Sequence, residues 1–249
     1  YAPVYAGIAD YYSILPFYSR SSPKEVFPKA KAAALKALEI DNTLAEAHAA
    51  LAYTMAYYDW DWAGAEREFK RAIELNPNSN TVHQAYSRLL SVTGRLEEAQ
   101  AEMQRAQELD PLSLLPPGNM AMLSYFGGQY DLAIKQLQRT LELDPNFPVA
   151  PWGMGLAYEQ KGMYEEAIAA FQRAESIAGG SLNVAASLGH AYAVSGRRRE
   201  AEKIIAELRE QAKKKYVSSY QIALIYAGLG EKDQTFAWLQ EAYEERSTL

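Results

Sequence analysis

Small and apolar residues return along this chain in a fixed register, every 34 positions. Ala65, Ala99, Ala133, Ala167 and Ala201 form one small-residue series, and Ser87, Ala121, Gly155, Gly189 and Ala223 form a second. A bulky apolar series, Phe69, Met103, Leu137, Phe171, Ile205 and Leu239, keeps the same step. Polar and turn-forming positions follow it too, with Gly94, Gly128, Gly162, Gly196 and Gly230 between the apolar stretches and Pro77, Pro111 and Pro145 closing them. Several series in one register mark a stacked repeat, in which each copy cannot bury its own apolar face and must use its neighbours'. No run alternates apolar and polar residues for more than a few positions, so strands are not expected and almost the whole chain should be α-helix.

The glycines are placed where a left-handed backbone is needed to turn from one helix into the next. The small series lets paired helices approach closely, and the bulky series fills the space between pairs. With these spacings the chain resembles the tetratricopeptide repeat family, which places small residues at repeat positions 8, 20 and 27, Gly near 15, a large apolar residue at 24 and Pro at 32. The stretch Gly155, Tyr158, Gly162, Ala167, Phe171, Ala174 fits that pattern in full. The resemblance implies an all-α fold, a right-handed superhelical solenoid of about seven helix-turn-helix repeats, since the length of 249 residues is a little over seven periods. The expected boundaries are about 2–42, 44–77, 80–111, 114–145, 148–179, 182–213 and 216–249, in a single array over 1–249.

Three places depart from regularity. In the first repeat, helices are expected over Pro3–Ile14 and Pro28–Ile40, with an enlarged loop over Leu15–Phe27, because Pro23 and Pro28 interrupt helical continuity. The second repeat carries one extra residue near Tyr58-Asp59-Trp60-Asp61-Trp62, where Trp60 and Trp62 are read as turn packing. Pro116 and Pro117 should fall in the first turn of a helix, where a missing amide hydrogen costs nothing. At the far end no helix follows Asp233–Glu245, so Phe236, Leu239 and Tyr243 should be partly bare.

Composition adds mainly exclusions. The formal charge of −6 gives no bulk attraction to nucleic acid or to an anionic membrane. Two basic runs, Arg197–Arg199 and Lys213–Lys215, are read as solvated surface. No apolar run reaches the roughly 18 residues needed to span a bilayer. Cysteine is absent, so there is no disulfide framework, which fits a reducing compartment and is compatible with an oxidising one. The chain opens on Tyr1 rather than Met and is read as a piece of a longer protein.

Catalytic chemistry has no constellation behind it. His48, His83 and His190 lack the helical spacing to carboxylate partners that a metal site needs, and no phosphate loop, dinucleotide fingerprint or nucleophile elbow is present. Glu97-Glu98 and Glu165-Glu166 open helices, where carboxylates suit the positive N-terminus. The expectation is a non-enzyme with no cofactor and no metal.

The family resemblance directs attention to the concave groove lined by first-helix positions. By register these hold Tyr53, Tyr57, Gln84, Arg88, Asn119, Met122, Tyr125, Phe126, Trp152, Leu156, Glu159, Asn183, His190 and Tyr220. Several aromatics with a few hydrogen-bonding groups suit capture of a protein or peptide segment. Some of these aromatics could instead plug the groove or pack between repeats. The lysine-rich clamp that some family members use for chaperone tails is disfavoured, because Ala49, Tyr53, Ala85, Leu115 and Asn119 occupy its positions. The second expectation is self-assembly through the terminal repeats or the Leu15–Phe27 loop. Tyr58–Trp62, Asn76-Pro77-Asn78 and Tyr216–Ser247 also resemble the C-terminal repeat modules of large bacterial signalling proteins, in which repeats follow a kinase, a cyclase or a winged-helix domain. That resemblance implies a docking or sensory region whose output domain lies elsewhere.

Overall fold

A computed structural model describes residues 1–18 and 21–248. Among the described residues it contains fourteen α-helices and no strand. The helices fall into two compact units, Tyr1–Pro116 and Pro117–Ser247. The first contains α1 (Ala2–Tyr18), α2 (Pro23–Ile40), α3 (Ala45–Thr54), α4 (Trp62–Leu75), α5 (Asn80–Val92) and α6 (Leu96–Leu109). The boundary falls inside α7 (Leu115–Phe126). The second unit continues through α8 (Tyr130–Leu143), α9 (Val149–Gln160), α10 (Tyr164–Ala178), α11 (Leu182–Val194), α12 (Arg198–Ala212), α13 (Ser219–Gly228) and α14 (Lys232–Glu244).

The periodic residues do what their chemistry suggests. Ala65, Ala99, Ala133, Ala167 and Ala201 are fully buried, as are the large side chains of Phe69, Leu137 and Phe171. The period glycines all take positive φ, and after each the chain folds back with one long-reach bond. Arg95 N donates to Leu90 O at 2.9 Å, Gln129 N to Ser124 O at 2.9 Å, Met163 N to Tyr158 O at 3.0 Å and Arg197 N to Tyr192 O at 2.8 Å. This closes the orphan carbonyls of each helix end. Ser79 and Ser181 cap α5 and α11 through their hydroxyls, and the Asp61 carboxylate caps α4 by accepting from Gly64 N at 2.8 Å.

The extra residue of the second repeat is absorbed as a π-helical turn, Met55–Asp59, at the end of α3. Trp60 then occupies the place the glycines hold elsewhere, with a left-handed φ of 60°. The closing bond runs from Asp61 N to Met55 O at 2.9 Å, one residue longer in reach than its counterparts.

The expected loop over Leu15–Phe27 is shorter than the sequence suggested. Helix α1 continues through Pro16 to Tyr18, and α2 begins at Pro23 rather than Pro28. Ser19 and Arg20 of that loop lie outside the described residues. Pro23 sits at the helix start, where its missing N–H is not needed, and Pro28 removes one bond near the helix start while Val26, Phe27 and Ala30 are buried. Burial of that apolar face outweighs the lost bond. At the other end, α14 buries only Ala242, leaving Phe236, Leu239 and Tyr243 exposed.

Candidate functional site

In the first unit, α1, α3 and α5 with the start of α7 enclose a cleft of about 250 Å³. Its walls are Ile14, Ala49, Val82, Ala85 and Leu115, and its polar groups come from Asp10, Tyr53, Thr81, Gln84 and Arg88. Three of the expected groove residues, Tyr53, Gln84 and Arg88, therefore meet in one space. Small residues at Ala49 and Ala85 leave that space open. Arg88 Nη1 donates to the Tyr53 hydroxyl at 3.0 Å, and Tyr53 stacks on Tyr57 with ring centroids 5.3 Å apart. Burial, then the neighbouring Tyr53, pushes the Tyr57 phenol well above its ordinary range. The Asp10 carboxyl is also raised, first by burial and then by the Glu46 carboxylate. Sequence reasoning missed Asp10, Ile14 and Thr81. The irregular first repeat hid the register of α1.

In the second unit the expected residues fall into smaller groups. Tyr125 packs edge-on to Phe126 at 5.5 Å and against Tyr130 at 5.7 Å, and Phe126 is largely exposed. Trp152 donates from Nε1 to Ser187 Oγ at 3.1 Å, and with Leu156 it packs against the cluster of Ala167, Ile168, Phe171 and Ala191. Both are thus partly committed to packing between helices. Met122 is half-buried against Gly153, and the Asn119 Nδ2 is buried without a hydrogen-bond partner. Glu159 accepts from His190 Nδ1 at 2.9 Å, Asn183 accepts from Gln221 Nε2 at 2.8 Å, and Tyr220 is half-buried on α13.

Two histidines form a recurring bridge that the sequence did not reveal. His48 Nδ1 meets Glu68 Oε2 at 2.6 Å and its Nε2 meets Asn42 O at 3.0 Å. His83 repeats this with Glu102 Oε2 at 2.5 Å and Pro77 O at 3.1 Å. Each ring thus bridges a glutamate carboxylate on one nitrogen and a backbone carbonyl on the other. The Glu102 hydrogen bond accordingly holds the His83 ring above its ordinary value. The available signal was Glu68 and Glu102, themselves 34 residues apart.

A second ionic node surrounds Glu66. It pairs with Lys70 at 2.8 Å, takes Arg95 Nη1 on both oxygens at 2.9 Å, and accepts from the Tyr86 hydroxyl at 3.0 Å. The Lys70 bond first, then Arg95, holds its carboxyl down to about 2. Two of the three arginines after Gly196 are likewise paired: Arg197 meets Glu165 at 2.5 Å and Arg198 meets Glu231 at 3.0 Å. Among the described residues no group of three or more acidic or histidine side chains could hold a metal ion, and no helix is long and apolar enough to cross a membrane.

A tetratricopeptide repeat model matches residues 60–114 and 159–223, and a second TPR repeat model matches 125–162, together well over half of the chain. The chain belongs to the tetratricopeptide-repeat proteins. No curated protein sequence matches it. Among solved structures it is similar to PilW, a widely conserved type IV pilus biogenesis factor, at 20% identity and a TM-score of 0.65, covering 86% of this chain and 94% of that one. It is also similar to PilF of Pseudomonas aeruginosa, at 20% identity and a TM-score of 0.57, covering 92% and 98%. The human IFIT1 dimer with m7Gppp-AAAA matches at 19% identity and a TM-score of 0.67, over 90% of this chain but only 56% of that one. These likenesses establish the all-α helical repeat fold.

Proposed function

We propose that the chain is a non-catalytic scaffold that captures a protein or peptide segment against its first-helix faces. Tetratricopeptide-repeat proteins are in general interaction scaffolds, and this reading extends that role to particular residues: Tyr53, Tyr57, Gln84 and Arg88 in the first unit, and Asn119, Met122, Tyr125, Phe126, Trp152, Leu156, Glu159, Asn183, His190 and Tyr220 in the second. The observation that carries it is the cleft at Tyr53, Gln84 and Arg88, about 250 Å³ with mostly apolar walls and a few polar groups. That is below the roughly 300–1,000 Å³ typical of cofactor pockets and suits one bulky side chain with its flanking peptide groups. The net charge of −6 favours such a segment over a polyanion. In the fuller reading, the chain is one continuous array over 1–249 and the interaction region of a larger bacterial regulatory protein, with catalytic or DNA-binding output elsewhere.

The test is selection of displayed random peptides on the purified chain, followed by binding to Tyr53→Ala, Arg88→Ala and the Tyr125→Ala, Trp152→Ala pair. Enriched peptides that lose affinity on one of these well-folded variants support the reading. Failure to enrich any peptide, or binders indifferent to all of them, would refute it. A second reading, self-assembly, is favoured by the exposed Phe236, Leu239 and Tyr243 of α14.

A further inference from the structure

The second unit holds a carboxylate with one oxygen left over. Glu159, on α9, has only 9% of its side chain exposed. Its Oε1 accepts from His190 Nδ1 at 2.9 Å, while Oε2 is buried and has no hydrogen-bond partner. Because a carboxylate only accepts, His190 must carry its proton on Nδ1. His190 is the one basic group paired with Glu159, and no lysine or arginine among the described residues joins it. A carboxyl oxygen withdrawn from water without a partner is costly, and buried polar atoms in folded proteins nearly always have one. Tyr125 of α7 lies within electrostatic reach of Glu159 and of Tyr220 on α13, and its phenol is raised by burial first and then by the Glu159 charge. Tyr125 thus stands within reach of the unfinished acceptor, with Tyr220 within reach of Tyr125.

We propose that Glu159 anchors the ammonium of a lysine side chain on a segment bound at this face. The inference rests on the scaffold reading above and names the chemistry its second-unit site selects. A carboxylate in a chain of net charge −6 calls for a cation rather than a neutral donor. With Oε1 committed to His190, a single oxygen remains, which suits a compact ammonium better than the parallel fork of a guanidinium. The lysine stem would lie along apolar surface, with its head within reach of the Tyr125 ring. The carboxyl turns easily about its last bond, so either oxygen can hold His190 while the other meets the incoming ammonium.

The probe is Nα-acetyl-lysine methylamide, titrated into the full chain and followed by the NMR signals of the His190 ring and the Tyr125 and Tyr220 amides. Its norleucine and arginine counterparts serve as controls. The lysine compound should shift these signals with saturation, and the norleucine compound should bind about 10–100-fold more weakly, the loss expected for one charge-assisted bond. Glu159→Gln, which can still accept from His190, should weaken the lysine compound by a similar factor. Equal binding of lysine and norleucine, an unaffected E159Q, or tighter binding of the arginine compound would overturn the proposal. Silence from all three compounds would mean that Oε2 is met by water alone, and would also overturn it. In either case peptides selected through Tyr53 or Trp152 would leave the scaffold reading standing.

Discussion

Adding one methyl group to Gly155 tests the packing logic of the repeat most directly. Gly155 lies in α9 in the small-residue series, and a Cβ placed there would stand 2.5, 2.6 and 2.8 Å from Cε1, Cδ1 and Cζ of Phe171. Ordinary contacts begin near 3.4 Å, so the overlaps run from 0.6 to 0.9 Å. Phe171 is fully buried in α10, and its ring has nowhere to withdraw. Overpacking of this kind costs about 1–3 kcal/mol. Replacing a helical glycine by alanine returns about 1 kcal/mol through backbone entropy. The net expectation for Gly155→Ala is a loss of up to about 2 kcal/mol, or up to roughly 8 °C in melting temperature for a chain of this size. Gly7→Ala in α1 is the control, since nothing stands within 4 Å of its added Cβ. It should gain about 0.5–1 kcal/mol. Both are read by urea denaturation followed by circular dichroism at 222 nm. A double-mutant cycle with Phe171→Leu should show a smaller penalty for the added methyl. If Gly155→Ala gains as much stability as Gly7→Ala, or its penalty is unchanged in the Phe171→Leu background, close helix approach is not what this glycine provides.

Further outcomes follow from the ionic nodes and the exposed end. His83 has a raised value when folded, so its bridge to Glu102 stabilises fully below the unfolded value of about 6.5 and fades as pH rises through the folded value. The stability gap between wild type and Glu102→Gln, measured by denaturation across that range, should therefore shrink on the alkaline side; a constant gap would contradict the bridge. Glu66 is depressed instead, so its contribution is present above the ordinary carboxylate range and is lost as pH falls toward about 2. Glu66→Gln should cost about 1–3 kcal/mol at neutral pH, and its gap to wild type should close on acidification. If α14 mediates self-assembly, the wild type should show concentration-dependent mass by light scattering, and Phe236→Ser with Tyr243→Ser should abolish it. A wild type that stays monomeric throughout would end that reading.

The helical architecture was legible because burial repeats at a fixed step. Ala65 through Ala201 and Phe69 through Ile205 are buried where the period places them, and the glycines take the left-handed turns. The ends of α1 and α2 were not legible, since proline penalties are local and the burial of Val26 and Phe27 that outweighs them is not. Candidate site positions could be named from register, but their hydrogen bonds could not. Trp152 meets Ser187 and Arg88 meets Tyr53 across 35 residues, and those pairings depend on how neighbouring helices are rotated. The unpartnered oxygen of Glu159 depends on how α9 meets α11 and leaves no trace in either helix alone.

The π-helical turn at Met55–Asp59 lets the chain change length without changing phase. One added residue is stored as a single wide loop of backbone, and Phe69 and Ala72 return to the same burial that Met103 and Ala106 show a period later. The mismatch stays where it arises, so the later helices need no compensating changes. An array built this way can accept insertions at helix ends one at a time, each altering the side chains displayed locally. The segment itself stays tied to the preceding copy, since Tyr58 stacks on Phe27 at 5.5 Å and Asp59 pairs with Lys31 at 2.5 Å.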